Sequence, residues 1–79
     1  MNRKMSNEEK EFRDEIREFV TYMIRDLNFS PASISRAINQ TYCTNITKRT
    51  FGYEKAVLIK NAYINNYNKW VLLKQNKEL

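Results

Sequence analysis

Apolar residues recur at spacings of three and four through Phe12, Ile16, Phe19, Val20, Met23, Ile24 and Leu27. That period belongs to an α-helix and lays one apolar stripe along about 20 residues, roughly 30 Å. Ser6-Asn7-Glu8-Glu9 has the spacing of a capping box, and the acids that follow suit the positive end of the helix dipole. Glu9 with Arg13, and Asp14 with Arg17, with Glu18 across from them, lace the polar face. Asn28 follows the last stripe residue and tolerates the left-handed backbone that ends helices.

Ser30-Pro31 restarts the chain, because Ser caps helices well and Pro suits the first helical position. Ile34, Ala37 and Ile38 form one narrow apolar edge, while Ala32, Ser35, Arg36 and Asn39 point elsewhere. Residues 40–47 read as a connector, weakly extended. A last helix, capped by Thr47 or Thr50, carries Ala56, Val57, Ile59, Ala62, Tyr63, Tyr67, Trp70 and Val71 and reaches Lys74. Gly52 weakens its first turn and leaves its start open. The pattern predicts an all-α domain of three to five helices with a long C-terminal helix, residues 1–6 flexible and 75–79 frayed.

Composition narrows the class. The chain has 79 residues with one Gly and one Pro, too few turn formers for a β-sandwich or barrel. At 9.5 kDa it buries only about 63% of its surface on folding, which favours a partner or a second copy. It has no His and one Cys, so neither a Cys/His zinc site nor a Ser-His-Asp arrangement can be assembled within it. The acids interleave with Arg on the first helix, so no catalytic cluster is visible; the expectation is a non-enzyme without cofactor or metal. Cys43 reads as a small, half-buried hydrophobe, compatible with the cytoplasm. No leader follows Met1, no apolar run is long enough for a membrane span, and the acceptor pattern Asn45-Ile46-Thr47 reads as chance.

Charge adds a direction. Residues 1–29 carry six Lys or Arg against seven acids, net −1, whereas residues 30–79 carry eight against two, net +6. A basic half whose middle, Phe29 to Tyr53, lacks acids suggests a polyanionic partner; the plain alternative is a solvated lysine surface.

Within this frame Ile24–Ile38 has the layout of a helix-turn-helix. Leu27 supplies a hydrophobe before the turn, Asn28 the positive φ, and Ile34 the packing residue six positions on. The other side of the second helix is small or polar, as a major groove about 12 Å wide requires. Asp26-Leu27-Asn28-Phe29-Ser30-Pro31-Ala32-Ser33-Ile34-Ser35-Arg36-Ala37-Ile38 resembles the Cro and repressor helix-turn-helix proteins of phages and mobile elements. Their pattern is Asp-Leu-Gly-hydrophobe, four variable residues, then Ile-polar-basic-Ala-Ile. The resemblance covers this segment and little beyond it. It implies a DNA-binding regulator, a repressor, with base-reading positions at Pro31, Ala32, Ser35 and Arg36. Three departures are visible: Asn28 replaces the Gly, Pro31 has no N–H to offer a base, and residues 7–27 form one stripe where the family has two helices.

The expected DNA-binding set is therefore Ser30, Pro31, Ala32, Ser33, Ser35, Arg36 and Asn39, with Lys48 and Arg49 on phosphates. N–H groups at Ser30–Ser33 are a further phosphate site. In a second register Ser30–Gln40 is the supporting helix and Thr47–Lys60 the reader, with Lys48, Arg49, Thr50, Tyr53 and Lys55 toward DNA. A plain helical hairpin is the third possibility. Tyr63, Tyr67, Trp70 and Val71 form a candidate homodimer interface, with Ala56–Ile59 apolar over more than one face. The partners implied are double-stranded DNA and a second copy. The rival is a small protein-binding inhibitor or antitoxin-like protein that uses the aromatic last helix to hold a protein partner.

Overall fold

The computed structural model describes residues 6–44 and 52–77. Among them the chain forms four helices and no strand: α1 (Asn7–Asp26), α2 (Pro31–Tyr42), α3 (Tyr53–Ala62) and α4 (Ile64–Lys77). The all-α class and its small helical architecture are as the periodicity predicts.

α1 starts where the capping box places it. The Glu9 N–H donates to Ser6 Oγ at 3.1 Å, with Glu8 and Glu9 in the first turn. The helix is unbroken over 20 residues, and its stripe turns Ile16, Phe19 and Met23 fully inward. At its end Asn28 adopts φ 62°, and the Leu27 and Phe29 N–H groups both donate to the Met23 carbonyl, at 3.2 and 3.0 Å. This corner lets Phe29 pack against the core while Leu27, expected to anchor the turn, stays 36% exposed.

α2 opens on Ser30 and Pro31 as predicted. The Ser33 N–H donates to Ser30 Oγ at 3.0 Å. The helix continues past Asn39 to Tyr42, so residues expected in the connector are helical. It ends on Cys43, which is left-handed at φ 53° and exposed rather than half-buried. The caps expected at Thr47 or Thr50, and the acceptor pattern at Asn45, lie outside the described residues; Gly52 is the N-cap of α3.

The single long C-terminal helix expected from the sequence is two helices. Tyr63 leaves helical geometry at φ −118° and ψ 34°, its N–H still donating to the Ile59 carbonyl at 3.1 Å. A straight helix over residues 53–77 would run about 37 Å. The break instead allows α3 to lie along α1 and α2 and α4 to return to α1. α4 then runs through Lys77, beyond the expected fraying at 75.

The core joins Ile16, Phe19 and Met23 of α1, Ile34 and Ile38 of α2, Ala56 and Ile59 of α3, and Tyr67 and Trp70 of α4. α3 is the brace, packing most extensively on α1 and also holding α2. The orientation of α2 is thereby set from its inner side.

Candidate nucleic-acid interface

Helical geometry and burial together define the outer face of α2. Each residue advances about 100°, so Ile34 and Ile38 both lie about 160° from Arg36. These two isoleucines are 3% and 0% exposed, which puts Arg36 opposite the buried side. Ala32 and Gln40 flank Arg36 at about 40° to either side. All three are exposed, and with half-buried Ser35 and Asn39 they line one shallow open surface. Arg36 is the only charged residue of α2.

The ends of this face are held by local hydrogen bonds. Ser30 Oγ donates to Ser33 Oγ at 2.8 Å while accepting the Ser33 N–H. The phosphate cradle expected at Ser30–Ser33 is thus largely consumed by the helix cap, since Pro31 has no N–H and Ser33 uses its own. Pro31 is exposed beside them. At the other end the Thr44 hydroxyl donates to Asn39 Oδ1 at 2.8 Å, and the Thr44 N–H donates to the Asn39 carbonyl at 3.3 Å. Lys48 and Arg49, the expected phosphate contacts, lie outside the described residues.

In the second register, two of the five residues meant for DNA are described, and neither is exposed. Tyr53 sets its ring edge-on to Phe12 at 5.7 Å, and Lys55 is only 7% exposed. Desolvation by burial lowers the Lys55 pKa from its ordinary value. Ala56 and Ile59 face the core. Of the residues that were to meet DNA in that register, Tyr53 is held against Phe12 of α1 and Lys55 is buried, while Lys48, Arg49 and Thr50 lie outside the described residues.

Two residues of the expected dimer face, Tyr67 and Trp70, are turned inward. Tyr67 and Trp70, 8% and 5% exposed, belong to the chain's own core. Phe19 meets Tyr67 edge-on at 5.4 Å and Trp70 at 5.5 Å, and Tyr63 lies 5.8 Å from Phe29. Val71 is half-buried against the same cluster. Ala56–Ile59, read as excess apolar surface, is partitioned likewise, with Val57 and Leu58 half-buried. Burial and a hydrogen bond to the Glu15 carboxylate push the Tyr67 hydroxyl up to about 12, and burial raises Tyr63. Lys60 Nζ sits 5.2 Å over the Tyr67 ring, and Lys74 Nζ sits 4.7 Å over Trp70 while pairing with Glu18 at 2.9 Å. The aromatic anchors required by a partner-binding last helix are therefore already engaged internally.

On α1, Arg13 lies 3.7 Å from Asp14, and Arg25 lies 3.7 Å from Asp26. Gln40 also lines the open surface of α2 and is not among the residues expected there from the sequence. Its signal was available, since it follows Arg36 by four positions. No helix among the described residues is long and apolar enough to cross a membrane. No family model, curated protein or solved structure matches the chain.

Proposed function

We propose that the chain is a sequence-specific double-stranded DNA-binding protein, a transcriptional repressor that lays α2 in the major groove. One observation carries this reading. Asn28 makes a left-handed corner, and the capped helix that follows exposes a small polar face with Arg36 at its apex, opposite Ile34 and Ile38. Twelve residues give a rod about 18 Å long, and its outer side chains are small enough for a groove about 12 Å wide. The surplus of positive charge beyond residue 30 supports a polyanionic partner.

The roles follow from chemistry. Arg36 presents a planar fork that can bond guanine O6 and N7 together, and Ser35 lies beside it on the open surface. Lys48 and Arg49, a few residues after α2, neutralise phosphate and fix position without reading sequence. Two copies on a pseudo-palindrome, with half-sites about 34 Å apart, complete the proposal.

The test is binding to duplexes selected from random DNA, followed across salt concentrations. Affinity should fall steeply with salt, by roughly 0.9 logarithmic units per tenfold salt for each phosphate contact. Inverted repeats should dominate the selected pool. Salt-independent binding, or equal affinity for all duplexes, removes the proposal.

A further inference from the structure

Resting on the reading of α2 as the recognition helix, we propose that Gln40 is a base-reading residue and that Asn39 positions the helix end rather than reading a base. The two neighbours exchange the roles that their place in the chain suggests. Asn39 is half-buried, its Oδ1 accepting the Thr44 hydroxyl at 2.8 Å and its carbonyl accepting the Thr44 N–H at 3.3 Å. A two-bond contact with adenine needs an amide free to extend from the helix, and the Asn39 amide is half-buried and tethered through Oδ1 to Thr44. Gln40 is exposed and lies on the open surface, one helical turn beyond Arg36.

Ala32, Arg36 and Gln40 form one row at intervals of four residues. Along a helix that interval is about 6 Å. Successive base pairs are about 3.4 Å apart, so each step of the row spans about two base pairs when α2 follows the groove. The side chains then dictate a base pattern. Arg36 takes guanine through O6 and N7, Gln40 takes adenine through N6 and N7, and Ala32 packs on a thymine methyl. The recognition element is a guanine in the middle, with an adenine about two steps to one side and a thymine about two steps to the other.

The experiment selects duplexes from random DNA with the wild-type chain and with Gln40→Ala, Gln40→Arg and Asn39→Ala. The wild-type chain should enrich a G·C pair and an A·T pair about two steps away. Gln40→Ala should lose only the A·T preference, with discrimination there falling about tenfold. Gln40→Arg should convert that position to guanine. Asn39→Ala should lower affinity on every duplex alike and leave the preferred sequence unchanged. An unchanged preference in both Gln40 variants, or a changed base in Asn39→Ala, overturns this assignment while leaving α2 as the reader. Failure of the wild-type chain to enrich any sequence overturns the DNA-binding proposal itself and this assignment with it.

Discussion

Phe19→Ala should remove a large share of the stability of this fold. Phe19 is fully buried, and its ring meets Tyr67 at 5.4 Å, Trp70 at 5.5 Å and Tyr22 at 6.5 Å. Truncating a buried Phe costs about 3–5 kcal/mol, through lost transfer energy and the cavity left behind. Each lost aromatic pair adds about 0.5–1.5 kcal/mol, though the terms overlap. We therefore expect about 4–5 kcal/mol. A chain of 79 residues has roughly 4–12 kcal/mol in total, so the loss takes between about a third and all of it. The assay is urea unfolding followed by far-UV circular dichroism and by Trp70 emission, which reports α4 directly because Trp70 is the only tryptophan. In the parent chain the two signals should change together, because Phe19 ties α4 to α1. A loss no larger than about 1.5 kcal/mol, the ceiling for volume-conserving swaps, would refute the packing argument. So would Trp70 emission that changes well before helicity is lost.

Two further predictions concern the corner and the buried hydroxyls. At φ 62°, Asn28→Gly should be neutral or slightly stabilising and Asn28→Val should cost about 1–2 kcal/mol; equal urea midpoints for both variants would contradict the corner geometry. Tyr67 holds its proton up to about pH 12 in the fold against 10.0 ordinarily, so its contribution is present below pH 10.0 and is lost as pH rises toward 12. Tyr63 acts in the same direction. Lys55 acts oppositely, since its lowered pKa means that stability is regained as pH rises toward 10.5. Urea midpoints should therefore hold or rise toward pH 10 and fall beyond it, and a Tyr67→Phe variant should show a weaker fall. A fall of the same size in that variant would rule out Tyr67 as its source.

Much of this architecture is written in local signals. The Ser6 and Ser30 caps, the α1 stripe and the Asn28 corner each depend on residues within a turn or two of each other, so periodicity and cap chemistry suffice to find them. The split at Tyr63 has no such mark. Neither Gly nor Pro stands there, and the break is set by distant partners: Phe29 beside Tyr63, and Phe19 beside Tyr67 and Trp70. Read as one helix, residues 53–74 are apolar on too many sides and suggest a dimer. Divided in two, each half turns residues inward, Ala56 and Ile59 from α3 and Tyr67 and Trp70 from α4, while Ile64, Leu72 and Leu73 stay exposed. Lys55 was misread for a related reason, because charge suggests exposure while a long aliphatic stem can be covered. Gln40 was missed because the sequence places it in a connector, whereas the helix continues to Tyr42 before the left-handed Cys43 stops it.

The placement of Arg36 diametrically across from Ile34 and Ile38 separates what holds the molecule together from what it presents. Ala32, Arg36 and Gln40 contribute nothing to the interior, so they can be exchanged as a set while the scaffold of α1, α3 and α4 stays the same. Under the proposed DNA-binding role, changing these three exposed side chains alters what the frame recognises while its core stays as it is.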